Sequence, residues 1–367
     1  MLNNFLFLSL LAFLVSAGIS FGATPLVKRL AKRIGAIDVP KDARRMHKIP
    51  IPRLGGLAIF FGFIISVLLF GQIDSQARGI LLGALIIVVL GIIDDVMPLN
   101  ALLKFCVQII AAIIPVMAGV RIEFLSNPNV FSNSVYFSLG IFSIPITVLW
   151  IVGITNAVNL IDGLDGLAVG ISSIASLSLY IVAFLVSEPS VAIVMACLAG
   201  ACIGFLPYNI NPAKIFMGDT GATFLGFILA TVSIQGLFKF YAIVSFAVPF
   251  LILGLPIFDT VFAITRRIAS GRSPMSADRG HVHHRLIDMG FNQKQSVAIL
   301  YATSGLLGLS AVVLTTSGEI KAMLLIVTVI VAVLIGMKIM GSVPPAHHNA
   351  QNDSENKKAD GDKNEQD

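Results

Sequence analysis

The chain is a succession of apolar runs, most of them long enough to cross a bilayer, separated by short polar stretches. A hydrocarbon layer takes roughly 20 apolar residues of helix. No backbone polar group inside it can go without a hydrogen bond, so only helices or a closed barrel can cross. The runs are continuous rather than alternating, which selects helices. Spans are expected at 5–27, 54–71, 79–93, 101–119, 143–160, 166–186, 190–208, 219–235, 241–264, 295–316 and 320–340. The fold class is therefore an all-α polytopic integral membrane protein with about eleven transmembrane helices, ten being the other count because several runs are short. Hydrophobic residues make up 56 % of the 367 and mean hydropathy is +0.90, which excludes an ordinary soluble core.

The basic residues set the orientation. Segment 28–53 holds Lys28, Arg29, Lys32, Arg33, Lys41, Arg44, Arg45, Lys48 and Arg53, and segment 265–295 is also basic. With both inside, all but four of the 25 Lys and Arg face the cytoplasm, the exceptions being Arg78, Arg121, Lys239 and Lys321. The N-terminus is then outside. The first run lacks a basic leader and precedes Lys28 and Arg29, so it reads as a span and not as a cleaved signal. A pI near 9.2 follows from this topology without nucleic acid. Cys106, Cys197 and Cys202 lie within apolar runs and read as packing residues. Residues 120–142 suggest a small β-hairpin on the outer face. Residues 342–367 read as a disordered cytoplasmic tail in which His347 and His348 are incidental, leaving 1–341 as the transmembrane domain.

Acids are few and sit at the ends of apolar runs: Asp94 and Asp95 in GIIDDVMP, Asp162 and Asp165 in NLIDGLDGLA, Asp219 in FMGDTGATFLG. A carboxylate at the edge of hydrocarbon is expensive to dehydrate and persists with a partner or a task. Adjacent Asp94 and Asp95 suit a metal site or a general base, or simply a polar cap to a membrane helix. Asp162 and Asp165 share a face at helical spacing, with Asn156 and Asn159 just before them. Asp219 and Thr220 stand where a helix begins, a place that favours phosphate, though Asp is also a common cap there. Phe216, three residues earlier, is placed to stack on a base, although a membrane Phe usually packs. Arg279, His281, His283, His284 and Arg285 crowd one loop with no Cys for zinc, so an anion clamp for pyrophosphate is preferred. His47, Lys48 and Arg53 add cations to the same face. Arg266 and Arg267 read as topogenic charge.

Five stretches in order, DVPKDARRMHKIPIPRLGGLA, IDDVMP, NAVNLIDGLDGLA, PYNINPAKIFMGDTGATFLG and SADRGHVHHRL, resemble the polyprenyl-phosphate N-acetylhexosamine-1-phosphate transferases, glycosyltransferase family 4. They span residues 38 to 286. IPRLGGLA and GHVHHR resemble the bacterial branch that moves GlcNAc-1-phosphate from UDP-GlcNAc to undecaprenyl phosphate, opening O-antigen, enterobacterial common antigen or teichoic acid linkage synthesis. Pro98 stands where the family often has a third acid.

The resemblance implies Mg²⁺, with Mn²⁺ as a substitute, held by Asp219 with Asp94 and Asp162. It implies that Asp94 and Asp95 act on the lipid phosphate, one as base, and that Asn159, Asp162, Asp165 and Asn209 line the nucleotide pocket. Phe216 would stack on uracil, and His281, His283 and His284 would contact pyrophosphate or sugar. Lys48, Arg53, Lys104 and Arg279 would serve substrate phosphates. The implied setting is the bacterial cytoplasmic membrane, among membrane lipids, with a homodimer left open. Direct displacement and a phosphoryl-aspartate path both fit. The alternatives are another UDP-N-acetylhexosamine or UDP-MurNAc-pentapeptide as donor and, more remotely, a secondary transporter. The absence of an internal repeat and the gathering of acids at one face speak against transport.

Overall fold

A computed structural model describes residues 2–40, 49–126, 136–237, 242–271, 273 and 280–316. The expected span 320–340, the tail 342–367, and the candidates Lys48 and Arg279 lie outside the described residues.

Helix α1 (Leu2–Ile34) runs 33 residues, about 50 Å at the α-helical rise. That exceeds the thickness of a hydrocarbon layer, so its last turns carry Lys28, Arg29, Lys32 and Arg33 beyond the apolar zone. Two short strands follow, β1 (Ile37–Asp38) and β2 (Ile51–Pro52), paired antiparallel. Then come α2 (Gly56–Phe70), α3 (Ser75–Val96) and α4 (Ala101–Met117). Asp74 accepts from Ala77 N at 2.7 Å to cap α3, and Asn100 accepts from Leu102 N at 2.9 Å to cap α4. Strands β3 (Phe124–Ser126) and β4 (Tyr136–Ser138) pair antiparallel with Phe124 opposite Ser138, within the segment expected to form a hairpin.

The second half contains α5 (Ser143–Ile161), α6 (Leu167–Leu185), α7 (Pro189–Asn209), α8 (Gly218–Leu237), α9 (Ala242–Ile252), α10 (Gly254–Ala269), α11 (Val282–Asp288) and α12 (Gln293–Thr316). Six described helices are long and apolar enough to cross a membrane, and α2 and α4 are shorter apolar helices. The run expected as one span at 241–264 is instead two helices. Gly254 and Pro256 explain the break, since proline has no N–H with which to continue the ladder from Ile252. Of the cysteines, Cys197 and Cys202 are buried as expected, whereas Cys106 is exposed on α4.

Helix α7 packs along α1 through Gly200 and Gly204, one turn apart. A Cβ at either would lie 2.2 Å from the carbonyl oxygen of Phe13 or Ala17, the small-residue contact that lets membrane helices approach closely. Ser16 Oγ adds a hydrogen bond to Cys197 O at 2.6 Å. Helix α8 is buried from Thr220 through Ile234, packed on α3, α5, α2 and α6. A helix apolar on all sides belongs inside a bundle, and this one carries Asp219 in its first turn.

The start of α8 is stitched to the start of α2. Phe216 N donates to Pro52 O at 2.8 Å, Gly55 N to Phe216 O at 2.9 Å, and Gly56 N to Met217 O at 2.8 Å. The C-terminal ends of α3, α5 and α7 and the N-terminal ends of α4, α6, α8 and α11 thereby meet around one polar region.

Candidate active site

Asp94 and Asp95 sit in the last turn of α3, where the helix dipole disfavours negative charge. Both are compensated from elsewhere. Asp95, 2 % exposed, reaches across to the first turn of α8. Its Oδ1 accepts from Asp219 N at 3.0 Å, and its Oδ2 from Thr220 N at 3.1 Å and Thr220 Oγ1 at 2.6 Å. One helix thus supplies the cap of another. Gly218 is required in GDTG because its φ is +73° and a Cβ there would lie 2.4 Å from Asp95 Oδ2. Arg53 Nε donates to Asp95 O at 3.1 Å, and its Nη2 to Asp94 O at 3.3 Å, satisfying the end of α3. Asp95, a candidate base on sequence grounds, and Arg53, a candidate phosphate ligand, carry these structural bonds and also line the polar cavity beside Asp219.

Asp94 Oδ1 accepts from Leu99 N at 2.7 Å. Lys104 Nζ, from the first turn of α4, donates to Asp94 Oδ2 at 2.9 Å and to Asp219 Oδ2 at 3.1 Å. One ammonium therefore spans carboxylates from two helices.

Asp162 ends α5 and lines the same polar cavity as Asp219. Burial first, then the negative charges of Asp219, Asp95 and Asp165, push its carboxyl up to about 7. Asp165 Oδ2 accepts from Asn211 Nδ2 at 2.9 Å and Ala213 N at 3.0 Å, and Asn211 also donates to Gln293 Oε1 at 2.7 Å. Asn209 spends its amide inward, accepting from Gly166 N at 3.1 Å and donating to Ile215 O at 3.0 Å. Asp165 and Asn209 thus brace the wall of the pocket they were expected to line.

The three histidines separate. His284 lines the polar cavity of about 600 Å³, with Phe216, Asp162, Asp165, Asn209 and Asp219. His283 is 2 % exposed, and its ring presses on Gly163, where a Cβ would lie 2.2 Å from Nε2. Burial, reinforced by His284 and His281 and opposed by Asp259, pulls its pKa down to about 3. The His283 ring is thus packed against the Asp162–Asp165 loop. His281 lines a second, more apolar cavity of about 590 Å³ with Leu90, Asp94, Lys104, Phe105, Leu149 and Arg267. Asn159 and Asp219 belong to the walls of both cavities.

Arg266 and Arg267 do more than set topology. Arg267, 7 % exposed, lines the second cavity. Arg266 Nη1 donates to Gly280 O at 2.9 Å, and Arg266 and Arg285 each lie 5.2 Å from the centre of the Phe262 ring. Asp259 was not among the sequence candidates. It lies inside α10, is 2 % exposed, and bonds His281 Nδ1 at 2.8 Å. A lone acid within an apolar span was the available signal.

Among the described residues, no three His, Cys, Asp or Glu side chains group tightly enough to hold a metal alone. Mg²⁺ ordinarily takes one or two carboxylates, with substrate phosphates and water completing its shell. Asp219 and Asp162 on one cavity wall fit that donor set, and a cation there would relieve the like charges that raise Asp162. With divalent ions chelated, folded Asp162 keeps its proton at pH values where the unfolded chain has lost it, above about 4. Stability should therefore fall as pH rises from there to about 7. Thermal melts of wild type and Asp162→Asn across that window check this, since the variant should lose part of the slope. Equal slopes would refute it.

Residues 77–237 match the pattern of glycosyl transferase family 4. The chain is 41 % identical over 345 residues to the "Probable undecaprenyl-phosphate N-acetylglucosaminyl 1-phosphate transferase" of Bacillus subtilis (strain 168), covering 94 % of this chain and 95 % of that one. It is 34 % identical over 354 residues to the decaprenyl-phosphate N-acetylglucosaminephosphotransferase of Mycolicibacterium smegmatis, covering 88 % of this chain and 86 % of the relative. A phospho-N-acetylmuramoyl-pentapeptide-transferase of Staphylococcus aureus (strain MSSA476) is 34 % identical over 292 residues, covering 72 % and 86 %. With 94 % of its length aligned to a relative 41 % identical, this multi-pass membrane chain belongs to glycosyl transferase family 4, the polyprenyl-phosphate N-acetylhexosamine-1-phosphate transferase superfamily.

Proposed function

We propose that the protein transfers GlcNAc-1-phosphate from UDP-GlcNAc to undecaprenyl phosphate at the inner face of a bacterial cytoplasmic membrane, releasing UMP. This would be the opening membrane step of a cell-envelope polysaccharide such as a teichoic acid or O-antigen. The observation that carries it is the pair of cavities meeting at Asp219, one polar and one apolar. A nucleotide sugar is too polar for hydrocarbon, whereas a polyprenyl phosphate has a hydrocarbon tail and one charged end. A water-facing pocket and a greasy groove that share one acidic wall suit that pair of substrates and explain why both cavities are needed.

In this reading Phe216 and the Asp162–Asp165 loop bound the nucleotide, and Lys104 and Arg267 draw the carrier phosphate up the groove. An oxygen of the carrier phosphate attacks the sugar-bearing phosphorus of UDP-GlcNAc. The bond from that phosphorus to the oxygen bridging to UMP breaks, and UMP leaves with that oxygen. Asp219 and Asp162 would hold Mg²⁺, which when bound supplies positive charge against the pyrophosphate. Lys104 holds Asp219 and Asp94 in register, so phosphoryl transfer proceeds by positioning and charge neutralisation. A phosphoryl-aspartate at Asp94 or Asp95 is disfavoured because both oxygens of each are already engaged within the protein.

The test is purified protein with undecaprenyl phosphate and a panel of labelled UDP-sugars, with and without chelator. UMP release with UDP-GlcNAc alone, abolished by chelator, is the expected result. Release with UDP-MurNAc-pentapeptide or another hexosamine instead would move the donor assignment. No release with any donor would overturn the reading.

A further inference from the structure

Buried Asp259 has two acceptor oxygens, and both are committed to the start of α11. Oδ2 meets His281 Nδ1 at 2.8 Å, and Oδ1 accepts from Val282 N at 2.8 Å. The residue sits in α10, 22 positions upstream of the histidine it holds. With Nδ1 held by Asp259, Nε2 is the ring nitrogen left for the groove whose wall His281 forms. The other charged groups on that wall are Asp94, Lys104, Asp219 and Arg267. Of the neighbouring histidines, His283 packs on Gly163 and His284 faces the other cavity, so His281 alone addresses the groove.

We propose that Asp259 is a positioning residue that fixes His281 so that its Nε2 binds the phosphate of the carrier lipid in the apolar cavity. This rests on the two-cavity reading above and deepens it, dividing one histidine motif between two substrates. A ring that donates Nδ1–H to a carboxylate can carry a second proton and donate Nε2–H to a phosphate oxygen. The buried carboxylate balances the charge this creates. An amide in its place would donate to Nδ1 instead, moving the ring's proton and removing that balance.

The test compares wild type, Asp259→Asn, His281→Gln and the double variant in detergent, using undecaprenyl phosphate as probe. The acceptor's KM or Kd is expected to rise about ten- to hundredfold in each single variant, the range of a lost charge-assisted hydrogen bond. The KM for the UDP-sugar should stay within about twofold, a spread too small to indicate a lost contact. The double variant should be no worse than His281→Gln, because Asp259 acts through the histidine. Losses that multiply, a loss confined to the donor's KM, or unchanged acceptor binding in Asp259→Asn would each overturn the assignment. Should Asp259→Asn fail to fold, His281→Gln leaves the Asp259–Val282 cap in place, and unchanged acceptor binding there overturns it equally. Acceptor binding is read as a thermal shift without donor. The assignment therefore stands or falls even if the wild type releases no UMP, the result that would sink the two-cavity reading.

Discussion

Asp219→Asn is expected to lower UMP release about a thousandfold while the protein still folds and inserts, the scale seen when a group stabilising transition-state charge is removed. The separation of activity from folding follows from how the residue is held. Its backbone N–H is bonded by Asp95, and its carbonyl accepts from Thr223 Oγ1 at 2.6 Å. The side chain itself meets Lys104 and faces both cavities. Asparagine keeps the shape and both backbone contacts. It also removes one of the negative charges that push Asp162 upward, so the melting temperature should hold or rise. Turnover and a melting curve on one preparation check this. Wild-type rates, or a variant that does not fold, would contradict the placement of Asp219 at the reacting centre.

Lys104→Met should be nearly as severe in turnover, a loss of about a hundred- to a thousandfold, with the opposite effect on stability. Its ammonium is the cation bonded to both Asp94 and Asp219. Without it two acids from separate helices confront each other, and the melting temperature should drop. Combining Lys104→Met with Asp219→Asn removes that confrontation. The double variant should recover the melting temperature of the Asp219 single variant without recovering activity. If the double variant melts as low as Lys104→Met alone, the lysine supports the fold by some means other than neutralising these acids.

The convergence of the acids was legible because each ends an apolar run, and the positive-inside pattern puts those ends on one side. Asp94, Asp162 and Asp219 could be grouped without knowing any helix contact. What each acid does there was not legible. Nothing in IDDV tells which of two adjacent aspartates caps a helix more than a hundred residues later and which takes a lysine, since both depend on how α3 is rotated against α8. The histidines posed the same difficulty: at GHVHH spacing, one turn of α11 sends His281, His283 and His284 to three different surroundings. The break between α9 and α10 was marked by Gly254 and Pro256, but a hydropathy window averages over both. Strands β1 and β2 and the Pro52–Phe216 contact are long-range pairings with no local signature. Asp259 was passed over because it stands alone, and isolation inside an apolar run is itself a reason to ask what holds an acid there.

The backbone stitching of residues 52–56 to residues 216–217 also bears on biogenesis. A ribosome threads the chain into the membrane from its N-terminus, so the first wall of the pocket waits for five further helices, α3 through α7, before its mate emerges. Until α8 arrives, Asp95 has none of its three donors and Asp94 and Lys104 face an empty neighbour. A nascent chain stopped short of GDTG would therefore hold Asp95 through Arg53 alone, 3.8 Å away, while Asp94 already has Leu99 N and Lys104.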